Sequence, residues 1–193
     1  MKEFRHITED FFIGNLGSKE TTDEIIEGIT KNFNYKLINY EDAGVGTEDD
    51  PPVDHRVRKC LLKWISVNPT NYVESGLRKI IEHVNDGYFN IPVEHKWETD
   101  IQYTKYKEKG HFFGWHSDSY DGDNLPIRKL SIVYSLCHKN DYVGGEFQIK
   151  TSNGEIYTRK FDYGDFIVFP SDKVHRVKKL KGGERTTLVG WYY

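Results

Sequence analysis

The sequence predicts an α+β chain that is mainly β, with a sandwich or jelly-roll core. From residue 100 onward it consists of short strand-like runs separated by Gly, Asp and Asn, which is typical of such cores. The preceding half contains two runs whose apolar residues recur at helical spacing. The chain has 193 residues, of which 15% are aromatic, and this suits one domain with a real core. We therefore expect a single domain over 1–193, with a helical flank and supporting strands in 1–98 and the site-bearing core in 99–193.

Two helices are predicted in the first half of the chain. Residues 21–24 offer a cap for the first helix, and residues 71–74 offer one for the second. The apolar stripes that follow these caps are Ile25, Ile26, Ile29 and Phe33, and then Val73, Leu77, Ile80, Ile81 and Val84. Between the helices, 40–54 is rich in Gly, Asp and Pro and predicts a loop, whereas 61–65 predicts a strand. Both helices are expected to pack on a sheet.

Seven strands are predicted in the second half. They cover 101–106, 129–137, 146–151, 155–161, 165–169, 175–180 and 185–193. In 129–137 alternate side chains point to opposite faces, so we expect Ser131 and Ser135 to face a pocket and Tyr134 to face the helices. Trp115 and Trp191 are candidates either for the pocket wall or for the core.

His116, Asp118 and His175 are candidate ligands of one metal ion. On extended backbone, residues two apart leave the same face, so His116 and Asp118 can bind one ion. His175 follows the strand 165–169 and a turn that would present its imidazole at the same point. Two imidazoles and one carboxylate leave other coordination positions open, which is typical of non-haem Fe(II) oxygenases. The His-x-Asp pattern alone has low specificity and also fits a surface turn, but the joint pattern favours an iron site.

Arg185 is a candidate anchor for an anion. It lies ten residues after His175 and opens the apolar run 188–191. An arginine that enters a buried strand needs an anionic partner, which a dicarboxylate cosubstrate would supply. The alternative is an exposed residue at a hairpin end that pairs with Glu184 or with nothing.

Composition and charge limit the classes of partner. The net charge of −3 provides no overall basic field for nucleic acid, and the lysines of 173–181 fit a solvated edge strand better than a binding patch. Cys60 and Cys137 lie far apart, which argues against a disulfide scaffold and fits a reducing cytosol. No stretch approaches membrane-spanning length. We expect a cytoplasmic protein without a membrane partner, in the host cytoplasm if it is of phage origin, and no sequence feature indicates its oligomeric state.

Several longer motifs resemble those of one family. They are Tyr-x-x-x-Gly-x-x-x-x-Trp-His-x-Asp at 106–118, Arg-Lys-Leu-Ser at 128–131, Gly-Gly-Glu at 144–146 and Gly-x-Arg at 183–185. With them the chain resembles the prolyl-hydroxylase-type 2-oxoglutarate/Fe(II) dioxygenases, close to the bacterial and phage prolyl 4-hydroxylase-like members. The resemblance implies a double-stranded β-helix (jelly-roll) core with the N-terminal helices packed on its major sheet. One departure is Lys179-Leu180, which stands where Pro-Val is usual after the distal histidine.

The resemblance also implies roles for individual residues. The implied catalytic metal ligands are His116, Asp118 and His175. Arg185 would bind the far carboxylate of 2-oxoglutarate, and Tyr106 and Ser135 fall at positions whose polar side chains contact this cosubstrate. The implied reaction uses Fe(II), 2-oxoglutarate and O2 to hydroxylate a C–H bond and releases succinate and CO2, with ascorbate as a further candidate cofactor. The favoured substrate is a prolyl or other amino-acid residue of a protein or peptide.

Three alternatives stay open from the sequence. A nucleic-acid oxidative demethylase of the same superfamily would need a basic, aromatic-lined groove, which the net charge disfavours. A Zn-dependent hydrolase using the same two histidines and one aspartate would leave Arg185 and Tyr106 without a task. A non-catalytic jelly-roll binding module would be expected to have a broken triad, and this triad is complete.

Overall fold

The computed structural model describes residues 5–17, 23, 41–42, 54–66, 72–94, 100–119 and 127–193. In chain order, the strands of the first half are β1 (Arg5–Thr8), β2 (Phe11–Asn15), β3 (Glu41–Asp42), β4 (Arg58–Lys59) and β5 (Leu61–Ser66). They are followed by helix α1 (Tyr72–Val84) and a π-helical turn (Asn85–Phe89). The later strands are β6 (Asp100–Tyr106), β7 (Phe112–His116), β8 (Leu130–Ser135), β9 (Tyr142–Gly144), β10 (Phe147–Lys150), β11 (Ile156–Arg159), β12 (Asp165–Pro170), β13 (His175–Val177), β14 (Leu180–Gly183) and β15 (Arg185–Tyr192).

Two antiparallel sheets form the core, as the sequence predicts. The large sheet has the order β1-β2-β12-β8-β15-β6-β5-β3, and the small sheet has the order β11-β10-β13-β7-β4. Strands β9 and β14 form a separate pair. The order is not sequential: the C-terminal strand β15 lies at the centre of the large sheet, between β8 and β6, and the N-terminal hairpin of β1 and β2 lies at one edge. Such crossovers are typical of a jelly roll.

The large sheet is covered on both faces, and this explains why β8 is buried along its whole length. Its outer face packs on α1, where Tyr134 joins Leu77, Ile81 and other residues in one apolar cluster. Its inner face carries Val133 into a second cluster that includes Ile149 of the small sheet. The predicted faces of this strand are therefore confirmed, and the interior between the two sheets lies on the side of Ser131 and Ser135.

The predicted helix near 71–84 is confirmed as α1. It ends where the π-helical turn leads to Asn90, whose φ of 51° is left-handed. The side chain of Asn85 closes this end, because it donates to the Ile91 carbonyl and accepts from the Ile91 amide, both at 2.9 Å. Apart from Asp23, which is helical, the helix predicted from 21 to 33 lies outside the described residues, as do the loop residues 43–53. Among the described helices, none has the length and apolar character needed to cross a bilayer.

Two sequence-based expectations about residues 173–181 are wrong. The predicted strand 175–180 is divided, because the pairing of β13 with β7 shifts register between His175 and Val177, and Leu180–Gly183 pairs with β9 instead. Gly144, at a φ of +73°, permits this second pairing, since a Cβ there would collide with the Lys179 carbonyl oxygen. Strand β13 lies between β10 and β7, so it is an inner strand of the small sheet and not a solvated edge.

Candidate metal centre

The structure brings the three predicted metal ligands to one point. His116 ends β7 and His175 begins β13, and the two residues are direct cross-strand partners. Nε2 of His116 lies 3.5 Å from Oδ1 of Asp118, and Nε2 of His175 lies 3.6 Å from Oδ2. The ligand atoms of the three residues all lie within 4.8 Å of one another. These separations exceed good hydrogen-bond distances and leave room for an ion that all three side chains bind.

Backbone carbonyls orient both imidazoles. Nδ1 of His116 lies 2.8 Å from the Gly114 carbonyl, and Nδ1 of His175 lies 2.9 Å from the Lys173 carbonyl. A carbonyl oxygen can only accept, so each Nδ1 carries the proton and each Nε2 keeps its lone pair for a metal. The ring of Phe113 stacks on His116 at a centroid distance of 3.5 Å and limits its rotation.

Two serines hold Asp118. The Ser131 hydroxyl donates to Oδ2 of Asp118 at 2.8 Å and also contacts the Ser171 hydroxyl at 2.8 Å. The Ser171 carbonyl accepts from the backbone amides of Asp118 and Ser119 at 2.9 and 2.7 Å. This network joins β8, the segment after β12 and the His-x-Asp segment, and it fixes the carboxylate beside both histidines.

The protonation states suit a metal ligand set. Burial lowers the pKa of His175 to about 4 against the opposing pull of Asp118, so the imidazole is neutral near neutral pH. Burial would raise the pKa of Asp118, but the charged form of His175, the neighbouring His116 and the hydrogen bond from Ser131 lower it well below the usual range. Because His175 is itself neutral near neutral pH, the hydrogen bond from Ser131 is the part of this lowering that persists there. An ionised carboxylate and a neutral imidazole are the forms that metal binding requires.

Arg185 is buried and has an unused hydrogen-bond donor. It is 2% exposed, and its Nη2 has no hydrogen-bond partner among the residues that the structure describes. Glu184 pairs with Lys105 at 2.5 Å, so the alternative of an exposed Arg185 at a hairpin end is wrong. An unpaired buried guanidinium is costly, whereas a carboxylate from a small molecule would satisfy it with two parallel bonds. The residue therefore fits the dicarboxylate anchor that the sequence predicts.

Tyr106 and Ser135 lie on the same inner face as Arg185. Tyr106 is the cross-strand partner of Arg185, whose guanidinium lies 5.2 Å from the centre of the tyrosine ring. Burial is the main cause that raises the pKa of the Tyr106 hydroxyl, so this group stays protonated and can donate. Ser135 is buried, and its hydroxyl donates to the Cys137 carbonyl at 3.2 Å. The structure places both side chains in the interior, and their contacts with a cosubstrate stay predictions.

The two candidate tryptophans lie on different sides of the structure. Trp191 shares a face of β15 with Arg185 and pairs with Ser131, and in the described part of the chain its buried Nε1 has no hydrogen-bond partner. Trp115 alternates with His116 along β7 and instead contacts Arg176, whose guanidinium carbon lies 4.3 Å from its ring centre. Only Trp191 is therefore positioned to wall the pocket.

Two more residues beside Trp191 were not predicted as site residues. The guanidinium carbon of Arg128 lies 3.9 Å from the Trp191 ring centre, and the rings of Trp64 and Trp191 are 5.8 Å apart. The alternation of 61–65 could have placed Trp64 on the same face as the core residue Leu62. Arg128 lies outside any strand, and no periodic pattern in the sequence indicates where its side chain goes.

An open centre of two histidines and one carboxylate on a jelly-roll scaffold is the ligand set typical of non-haem Fe(II) oxygenases. Residues 101–193 match the family model of the 2OG-Fe(II) oxygenase superfamily. A PKHD-type hydroxylase of Prochlorococcus marinus is 50% identical over 62 residues, which are 32% of this chain and 28% of the relative. A PKHD-type hydroxylase of Herminiimonas arsenicoxydans is 35% identical over 89 residues, which are 44% and 39% of the two chains. The matched part thus spans less than half the length of these curated relatives.

Solved structures share the fold. A Trichoplax adhaerens prolyl hydroxylase in complex with a hypoxia-inducible-factor peptide fragment superposes with a TM-score of 0.75 at 19% identity, covering 96% of this chain and 84% of that one. A Pseudomonas putida prolyl-4-hydroxylase gives a TM-score of 0.66 at 18% identity, covering 96% and 92%. The predicted double-stranded β-helix core is therefore confirmed. Residues 101–193 are thus similar to the 2OG-Fe(II) oxygenase superfamily, and the chain shares its fold with prolyl hydroxylases.

Proposed function

We propose that the protein is an Fe(II)- and 2-oxoglutarate-dependent dioxygenase that hydroxylates a prolyl residue of a protein or peptide. The observation that carries this proposal is the unused Nη2 donor of buried Arg185, on the inner face of the large sheet and opposite the small sheet that carries both histidines. A Zn hydrolase could use the same three ligands but would have no group for this guanidinium to bind. A dicarboxylate cosubstrate could bind both the open positions of the metal and the unused donor of Arg185.

The residues of the site divide the work. His116, Asp118 and His175 would hold Fe(II) on one side and leave the remaining positions for 2-oxoglutarate and O2. The bound iron and its cosubstrate supply the oxidative chemistry, in which 2-oxoglutarate yields succinate and CO2 and one oxygen atom enters a substrate C–H bond. Arg185 would bind the far carboxylate in a bidentate fork, with the Tyr106 hydroxyl available as a further donor. Burial of these groups excludes water from the reacting atoms.

The surroundings of Trp191 support a cyclic, apolar substrate group. Its indole is the neighbour of Ser131, which bonds the metal ligand Asp118, so a group on this ring would lie close to the metal. Trp64, which is 39% exposed, extends the aromatic surface outward. A pyrrolidine ring could pack on the exposed ring of Trp64, because the Trp191 ring is already contacted by the Arg128 guanidinium. The Trichoplax neighbour, a prolyl hydroxylase with a bound peptide fragment, supports the same substrate class.

Aerobic assays with candidate peptides test this proposal. Purified protein would be incubated with Fe(II), 2-oxoglutarate, ascorbate and a panel of proline-containing peptides, with proline-to-alanine versions as matched controls. We expect succinate formation to rise with a subset of proline peptides, and mass spectrometry to locate one added oxygen on proline. Oxygen insertion into a different residue would contradict the prolyl assignment alone. Absence of succinate and of oxidised product under every condition would contradict the dioxygenase itself.

A further inference from the structure

A partly buried ionic cluster outside the site joins three separate segments. Asp10, which is 4% exposed, lies in the turn between β1 and β2. Its Oδ1 accepts from Lys173 Nζ and from the Ser152 hydroxyl, both at 2.5 Å, and its Oδ2 accepts from the Ser152 amide at 3.0 Å. Lys173 Nζ also donates to the Ser152 hydroxyl at 2.8 Å. None of these three side chains takes part in the proposed reaction.

The topology explains why the segments meet there. Strand β2 runs antiparallel to β12 with Val168 opposite Phe12, and this register carried two residues further places Asp10 beside Pro170, the last residue of β12. The chain then turns, with the Lys173 amide bonded to the Pro170 carbonyl at 3.0 Å, and enters β13 at His175. The N-terminal hairpin therefore contacts the segment that leads directly to the third metal ligand.

Lys173 links the cluster to the metal centre. Its side chain is held by Asp10, and its backbone carbonyl lies 2.9 Å from Nδ1 of His175. That carbonyl sets both the tautomer and the rotation of the imidazole, as described above. A shift of Lys173 would consequently move the acceptor that aims Nε2 of His175 at the metal.

The charge state of Asp10 suits a positional role. Burial would raise the pKa of Asp10, but hydrogen bonds from Lys173 and Ser152 lower it overall, so the carboxylate is ionised. A buried ion pair adds little net stability, because desolvation offsets the attraction. Its geometry is nevertheless restrictive, since Asp10 receives three hydrogen bonds from two different segments. The pair between Asp10 and Lys173 therefore contributes to the position of Lys173 more than to the stability of the fold.

We propose that Asp10 is a positioning residue of the metal centre, which acts through Lys173 on the orientation of His175. The N-terminal hairpin is then part of the support of the metal site, although it lies outside the residues that match the family model. The inference rests on the proposed metal-binding role of His175.

Metal titration of the full chain tests the inference. Asp10→Asn, Lys173→Met and the double variant would be titrated with Co(II) in place of Fe(II), because its visible absorption reports ligand geometry. Loss of outer support of a metal ligand typically weakens binding, and for this more remote contact we expect each single variant to raise the Kd about 3- to 10-fold. Both substitutions break the same contact between Asp10 and Lys173, so their effects should not add. The Kd of the double variant should be no higher than the larger Kd of the two single variants. The Co(II) spectrum should change in all three variants. Asp10→Glu, which keeps a carboxylate for Lys173, should keep most of the Co(II) affinity.

Controls separate this inference from the proposed function and from a loss of stability. Arg78→Met removes an exposed cation that pairs with Glu82 at 3.0 Å on α1, the helix that covers the outer face of the large sheet, and should leave the Kd unchanged. Absence of Co(II) binding by the unaltered chain, or binding that survives His175→Ala, would contradict the proposed metal site. Unchanged Kd and spectrum in Asp10→Asn and Lys173→Met, with only the melting temperature lowered, would show that the cluster is structural and overturn the inference.

Discussion

At the scale of single residues, the ligand set depends on interactions that extend beyond the three side chains. The positions of His116, Asp118 and His175 could be predicted because the two-residue spacing and the strand-turn sequence before His175 carry local signals. The hydrogen bond from Ser131 to Asp118 could not be predicted. Ser131 belongs to β8 and Asp118 to the segment after β7, and only the tertiary structure brings them together. The sequence leaves open whether Arg185 is a buried anion anchor or an exposed residue at a hairpin end, because its burial depends on the neighbouring strands β6 and β8.

Arg185 should control the affinity for the cosubstrate and leave metal affinity unchanged. Hydrogen bonds to charged groups contribute about 1.5–3 kcal/mol, so Arg185→Lys, which keeps the charge but loses the bidentate fork, should raise the KM for 2-oxoglutarate roughly 10- to 100-fold. Steady-state succinate assays give the KM, and Co(II) titration gives the metal affinity. A KM equal to that of the unaltered enzyme would mean that the anchor is another residue.

His175 should make the metal-free protein sensitive to mild acid. Its folded pKa of about 4 lies below the ordinary histidine value of 6.5, so the neutral ring contributes stability that is present above about pH 6.5 and is lost as the pH falls towards 4. This loss should be on the order of 2–3 kcal/mol. Denaturant unfolding of the apoprotein at several pH values measures it, with His175→Gln as the comparison. Parallel pH profiles of the two proteins would contradict the assignment.

At the scale of elements, strand prediction succeeded where alternation or flanking turns were clear and failed elsewhere. Strand β2 was missed because its first four residues are all buried, and a strand covered on both faces shows no period of two. Strand β7 was missed because adjacent aromatic residues and Gly114 obscure the alternation. The division of 175–180 depended on glycines in a distant segment, and local sequence cannot reveal that partner.

Helix α1 should stabilise the fold without entering the site. Ile81 is completely buried in the cluster on the outer face of the large sheet, so Ile81→Ala should lower the free energy of unfolding by about 2–5 kcal/mol. Lys79→Ala changes an exposed residue of the same helix to a good helix former and should have little effect. Denaturant titration measures both changes. We expect the Co(II) affinity of folded Ile81→Ala to match the unaltered protein, and a large loss would mean that the helix supports the site.

At the scale of the whole molecule, the sandwich places an open metal centre and a buried guanidinium in one interior. The small sheet supplies both histidines, while β15 of the large sheet supplies Arg185. The fold class was predictable because strand lengths and turn residues carry it. The cross-strand pairing of His116 with His175 was not, because it requires strands 59 residues apart in sequence to align in one register.

The histidines should be required for metal binding but not for folding. Either His116→Ala or His175→Ala removes one of three ligands at the end of a strand, so each should abolish Fe(II)-dependent turnover and keep the native circular dichroism spectrum. Turnover assays and Co(II) titration of the purified variants give the comparison. Full activity in either folded variant would disprove the assignment of the metal centre.

The most direct measurement is anaerobic absorption spectroscopy of the protein with Fe(II) and 2-oxoglutarate. We expect a weak visible charge-transfer band that appears only when both Fe(II) and 2-oxoglutarate are present, because the open positions on the metal would admit the keto-acid end of the cosubstrate. His175→Ala should lack the band, and Arg185→Lys should need more 2-oxoglutarate to reach it. If iron binds at His116, Asp118 and His175 but no band appears on addition of 2-oxoglutarate, the protein is not a 2-oxoglutarate-dependent dioxygenase.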